Sequence, residues 1–125
     1  MAESLPYAHL YADDAGVTHF ADAALPWQQR VRGTPPVSRW TTAFQDAHSL
    51  GYVRAAAGYV SGWHPAPRKQ CAIVLSGTME IEAGDGETRV FTPGMIFRVT
   101  DLTGRGHQTR AVGAEGLFMV QVPVP

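Results

Sequence analysis

The sequence is short of several things at once, and each shortage closes a class of function. It has one cysteine, Cys71, so no disulfide forms within the chain and no cysteine-rich zinc motif is available. It has one lysine, Lys69, and its arginines are scattered. No run of like charge occurs, and 10 basic against 11 acidic side chains leave a formal net charge of -1. Binding to a phosphate backbone or an anionic membrane needs a clustered basic surface, so neither nucleic acid nor membrane is an expected partner. No apolar run approaches the roughly 20 residues that span a bilayer. Residues 1–20 carry Asp13 and Asp14 and no basic leader, which predicts a cytoplasmic protein. Helix signals are also scarce, because Gly or Pro interrupts every apolar pattern of helical period before three turns are complete.

What the chain does have is 13 Gly and 9 Pro among 125 residues, closing short segments of β-favouring residues. Strands are predicted at Tyr52 to Val60, Lys69 to Leu75, Met79 to Glu82, Thr88 to Phe91, Met95 to Thr100, His107 to Val112 and Leu117 to Val122. The stops between them, such as Ser76-Gly77, Gly84-Asp85-Gly86 and Thr92-Pro93-Gly94, supply the conformations that tight strand connections need. One antiparallel all-β domain, sandwich or barrel, is the result. The first forty residues are less regular. Val17 to Phe20 reads as a short strand, Leu25-Pro26-Trp27 as an anchor to a neighbouring surface, and Thr34-Pro35-Pro36 as too stiff for a helix. Thr42 to Ser49 is the one segment with room for a helical turn.

Chemistry concentrates in two places. If residues 62–77 (GWHPAPRKQCAIVLSG) are extended, then His64, Ala66, Arg68, Gln70, Ala72 and Val74 share one face. Pro65 and Pro67 then belong at an edge or bulge. Thirty residues on, Gly104-Arg105-Gly106 delivers His107. Imidazole is the side chain whose ordinary pKa lies nearest neutrality, so an inward-facing His64 and His107 suit general acid-base work. Gln70 and the Arg68 fork are placed to orient a substrate oxygen, and Tyr59, Trp63 and Phe97 to shape its pocket. Asp101 reads most simply as a cap on the turn that follows it. Arg98 reads equally as a ligand contact or as a solvated or salt-bridged residue, Arg110 as solvated or salt-bridged, and His9, His19 and His48 as surface or arm residues.

These strings resemble the cupins, whose first motif runs Gly, His-x-His, a Glu three or four residues later and a closing Gly, and whose second holds a Pro-Gly turn and then Gly-x-x-His. His64 matches the first His, Gln70 stands at the Glu, and Gly77 at the closing Gly. Pro93-Gly94 and Gly104-Arg105-Gly106-His107 match the second motif. The likeness spans residues 50 to 125 and is nearest to small single-domain bacterial cupins. It implies a double-stranded β-helix, or jelly-roll, barrel over residues 41–125, with residues 1–40 as an N-terminal arm packed on the barrel or on the partner in a homodimer. It implies a small-molecule enzyme using the His pair for dehydration, isomerisation or cyclisation. The family's metal site has three His and one Glu, whereas this chain keeps His64 and His107, substitutes Gln70 for the acid and has Ala66 at the second His. A divalent ion (Fe, Mn, Ni or Zn) held by His64, Gln70 and His107 is therefore weakly bound or absent. A metal-dependent oxygenase or lyase and a non-catalytic ligand-binding barrel are the two alternatives.

Overall fold

The computed structural model describes residues 3–125 and contains no helix there. The strands among these residues are β1 (Ser4–Ala12), β2 (Thr18–Pro26), β3 (Gln28–Arg32), β4 (Val37–Thr41), β5 (Gly51–Ala55), β6 (Gln70–Ser76), β7 (Thr78–Glu82), β8 (Thr88–Phe91), β9 (Ile96–Val99), β10 (Gln108–Val112) and β11 (Leu117–Pro123). Six of them form one sheet in the order β2-β1-β9-β6-β11-β5, three form a second in the order β10-β7-β8, and β3 with β4 makes a separate two-stranded ribbon.

Alternation decides which residues face inward. In β6, Gln70, Ala72 and Val74 are buried and their neighbours are not, and in β7 Met79 and Ile81 take the same role. Ala72, Val74, Met79 and Ile81 join Leu10, Phe91 and Phe97 in one core supplied by both larger sheets. Phe91 lies at its centre, with ring centroids 6.3 Å from Phe20 and 5.0 Å from Phe97, within the range in which aromatic pairs attract. The architecture is the all-β jelly roll that the second half of the sequence implies.

Four features differ from expectation. The stretch read as an arm contributes β1 and β2 to the six-stranded sheet, with Ala8, Leu10 and Phe20 in the core; residues 1 and 2 lie outside the described residues. Many inward and outward positions of this hairpin are alanine, a weak strand former, so its alternation is faint in the sequence. The sheet is not purely antiparallel either: β1 runs parallel to β9, with Ala8 opposite Phe97 and Leu10 opposite Val99. No tight turn joins these two strands, so nothing forces them to oppose each other. Thr42 to Ser49 forms no helical turn and runs to His48, whose N-H donates to Pro123 O at 2.8 Å. Eight residues are too few to nucleate a helix unaided. Finally, the strand expected from Tyr52 to Val60 stops at Ala55, turns, and resumes only as a single bridge between Val60 and Arg110.

Candidate functional site

Two loops that are remote in sequence are stitched together at one mouth of the barrel. His64 and His107 form an antiparallel bridge in which each backbone N-H donates to the other's carbonyl at 3.0 Å. Ala66 N-H donates to Asp101 O at 2.9 Å and Ser61 N-H to Thr109 O at 2.8 Å, so the pairing extends to both sides. It depends on Gly106, which has φ of +79° and sits so close to His64 that a Cβ there would overlap the His64 carbonyl. A left-handed backbone and a missing side chain are both required, and only glycine meets the two demands cheaply. Buried Thr18 on β2 supports the same loop from behind, its hydroxyl donating to Gly106 O at 2.7 Å.

This stitching sets the imidazoles 4.8 Å apart between ring centroids, inclined at 52°. Each has its Nδ1 committed. His64 Nδ1-H donates to Gly62 O at 3.0 Å, and His107 Nδ1-H donates to Asp101 Oδ2 at 2.6 Å. The acceptors fix the tautomers: in the neutral rings both Nε2 atoms carry lone pairs. The Asp101 carboxylate is fully buried, and its Oδ1 has no hydrogen-bond partner. Asp101 therefore does not cap the turn after it; its side chain is spent on His107.

Both histidines line a cavity of about 370 Å³, a size that suits a small molecule. Ala66 and Gln70 line it too, together with Tyr59 and Phe97. The inward face expected of residues 64–74 therefore holds at positions 64, 66, 70, 72 and 74, although residues 65–69 are irregular rather than a strand. Gln70 is buried and its Oε1 has no partner.

Two nominated residues lie elsewhere. Arg68 is exposed and absent from the cavity wall, because the chain bends between Pro67 and Lys69 and breaks the two-residue period. Trp63 turns away from the cavity and is covered by the Arg105 guanidinium, 3.7 Å from its ring centroid. The cation at the rim is instead Arg54, on β5. Its register opposite Phe118 depends on the long-range β5/β11 pairing and has no local signal. Asp101 is the other residue that sequence reasoning misplaced; its spacing of six from His107 was the available hint. Among the described residues, no three His, Cys, Asp or Glu side chains gather as metal ligands, since Asp101 stands behind His107 rather than beside it. Of the side chains expected as metal ligands, His64, His107 and Gln70 all line the cavity.

A double-sheet barrel that joins a histidine from each of two motifs inside its lumen defines a cupin-type site. The cupin domain model matches residues 51–123, and the chain belongs to that family. Among solved structures, a cupin-2 domain containing protein from Shewanella frigidimarina superposes with a TM-score of 0.50 at 19% identity, covering 79% of this chain and 81% of its own. A Schizosaccharomyces pombe cupin domain gives 0.49 at 12% identity over 100% and 90% of the two chains. A Neisseria meningitidis protein gives 0.48 at 17% identity over 79% and 84%. At 19% identity the likeness to the Shewanella protein is one of fold. No curated protein matches the sequence.

Proposed function

We propose that the protein is a small-molecule enzyme in which His107 acts as a general base, oriented by Asp101, on a compact oxygenated substrate held in the barrel. The observation that carries this reading is the 2.6 Å hydrogen bond between the buried Asp101 carboxylate and His107 Nδ1. A carboxylate in that position holds the ring in the tautomer whose Nε2 lone pair faces outward, and it balances the positive charge that arrives when Nε2 takes a proton. His64 is backed only by the neutral Gly62 carbonyl and lacks that compensation.

This asymmetry ranks the candidate reactions. Isomerisation asks least of the site: His107 removes a proton from a carbon beside a carbonyl and returns it to another carbon, so no second acid is needed. Dehydration also needs a proton for the departing hydroxyl, and because the His64 Nδ1-H is turned to Gly62, that proton is best returned by His107 itself, which constrains the geometry of the elimination. Gln70, Tyr59 and Arg54 offer polar contacts for the substrate's oxygens, and Phe97 an apolar wall for its body.

Proton abstraction is directly observable. Small keto acids, hydroxy acids and keto sugars incubated with the protein in D2O are expected to gain deuterium beside a carbonyl, and the exchange is expected to fall by a factor of about 10²–10⁴ in His107→Ala. Exchange that survives in both His107→Ala and His64→Ala would remove these residues from the chemistry.

The unpartnered Gln70 Oε1 favours a second reading, in which His64, His107 and Gln70 hold a divalent ion that polarises a substrate oxygen. This donor set is uncharged, so the ion would be weakly held. Elemental analysis of protein purified without chelators tests it. Gln70→Glu adds an anionic donor and is expected to raise occupancy; equal occupancy in both proteins would show that position 70 is not a ligand.

A further inference from the structure

On the outer face of the six-stranded sheet, away from the barrel cavity, lies a second concavity of about 460 Å³ lined by Tyr7, His9, Lys69, Arg98 and Thr100. Strand register assembles it. The parallel pairing of β1 with β9 sets His9 opposite Arg98, and because Ala8, Leu10, Phe97 and Val99 turn inward, Tyr7, His9, Arg98 and Thr100 turn outward. Its wall is made of hydrogen-bond donors and cations. His9 Nε2 and Thr100 Oγ1 are 2.8 Å apart. Neither Arg98 nor Lys69 has a carboxylate within 4.0 Å among the described residues, although Arg89 and Arg110 both have acidic partners. Partial burial first and then the Arg98 charge hold the His9 imidazole below its ordinary range, against the opposing pull of the Asp101 carboxylate on the inner side of the sheet. A hollow of only about 30 Å³, lined by Leu5, Leu25 and Ile96 among others, adjoins this site and shares Tyr7 and Arg98 with it.

We propose that this outer concavity binds a small oxyanion, the phosphate or carboxylate group of a short organic molecule, with the Arg98 guanidinium and the Lys69 ammonium as its principal partners. Guanidinium presents two parallel N-H groups to a phosphate or carboxylate edge, and ammonium adds a point charge beside it. The adjoining hollow has room for a small substituent such as a methyl group. The site is independent of the acid-base reading of the lumen, since it lies on the opposite face of the sheet and shares no residue with the cavity there.

The test is an NMR titration of the full chain with inorganic phosphate, methyl phosphate and acetate at constant ionic strength, which removes general screening as a variable. A saturable shift confined to Tyr7, His9, Arg98 and Thr100 is expected. Its affinity should fall about tenfold in Arg98→Gln, the loss typical of a charge-assisted contact, and severalfold in Lys69→Gln. Tighter binding of phosphate identifies a phosphorylated ligand, tighter binding of acetate a carboxylate. A methyl phosphate that outcompetes inorganic phosphate places the substituent in the hollow. The proposal is overturned by the absence of saturation, by affinities unchanged in both variants, or by shifts centred on His64 and His107. Lys69 is exposed, so Lys69→Gln reports even where Arg98→Gln unfolds.

Discussion

Asp101→Asn separates what the carboxylate does for chemistry from what it does for stability. The substitution keeps the shape of a fully buried side chain and removes only its charge. Asn presents either its oxygen or its amide N-H to His107 Nδ1, now 2.6 Å from a carboxylate oxygen. If the N-H turns to the ring, Nδ1 becomes the acceptor, the proton moves to Nε2, and the base is lost. If the oxygen turns to it, the tautomer survives but the imidazolium loses its counter-charge. Either way, proton transfer is expected to fall by a factor of about 10²–10⁴. The stability cost is smaller. Replacing a charged hydrogen bond by a neutral one forfeits about 1–2 kcal/mol, and this is partly offset because the carboxylate already leaves Oδ1 unpartnered. A net loss of about 1 kcal/mol lowers Tm by roughly 3–6 °C in a domain of this size. The assays are deuterium exchange into substrate, thermal unfolding by circular dichroism, and nitrogen-15 shifts of the His107 ring, which report the tautomer. Full exchange in Asp101→Asn, with Nδ1 still protonated, would show that the carboxylate has no part in the reaction.

Three further outcomes are expected. Gly106→Ala introduces a Cβ into the His64 carbonyl and strains a left-handed backbone, so a loss of about 3 kcal/mol or more, or no folded protein, is expected in denaturant unfolding; a loss under about 1 kcal/mol would mean that the two loops separate freely. His19 is clasped by two carboxylates, with Nε2 2.7 Å from Asp13 and Nδ1 2.9 Å from Asp85. The Asp13 hydrogen bond, foremost, raises the His19 pKa above 6.5, and the His19 hydrogen bond lowers that of Asp13 below 3.8. The raised histidine contributes stability that is complete below 6.5 and lost as pH climbs through its folded value; the depressed aspartate contributes above 3.8 and is lost as pH falls through its own. The difference in Tm between wild type and His19→Gln is therefore expected to be largest between pH 4 and 6.5 and to narrow on either side, and a difference that stays flat from about pH 2.5 to about pH 9 would refute the clasp. The β3-β4 ribbon exposes Val31 and Val37 and is hydrogen-bonded to neither larger sheet, as suits a homodimer contact. Light scattering is expected to give twice the chain mass for wild type and the single mass when Val31 and Val37 are both changed to Asp; a wild-type monomer at micromolar concentration would exclude this contact.

The two halves of the chain were unequally legible. From Lys69 onward, turn residues punctuate strands of β-branched and aromatic residues, and Thr88 to Phe91 coincides with β8. Local chemistry is strong there, and the family likeness lies in the same region. The His64, Gln70 and His107 triad was legible because motif and period agree. Arg68 was misread because a period-two argument assumes an unbroken strand and the chain bends at Pro67 and Arg68, while Trp63 was nominated on its aromatic ring alone. Arg54 enters the cavity wall only through the pairing of β5 with β11, and β1 joins the sheet only through β9; neither partner can be deduced from neighbours in sequence. The turn-cap reading of Asp101 failed for a similar reason, since its competitor for the carboxylate was an imidazole brought back by the loop.

The parallel seam between β1 and β9 bears on how the protein is made. His9 and Thr100, hydrogen-bonded across that seam, are 91 positions apart. During synthesis the β1-β2 hairpin emerges well before β9 and waits, one edge bare, for its partner. Closure is then a late, slow event dominated by distant contacts. A fragment trimmed to residues 51–123 would lack the strand that seals β9 and would present that bare edge to other chains, so aggregation is its natural fate.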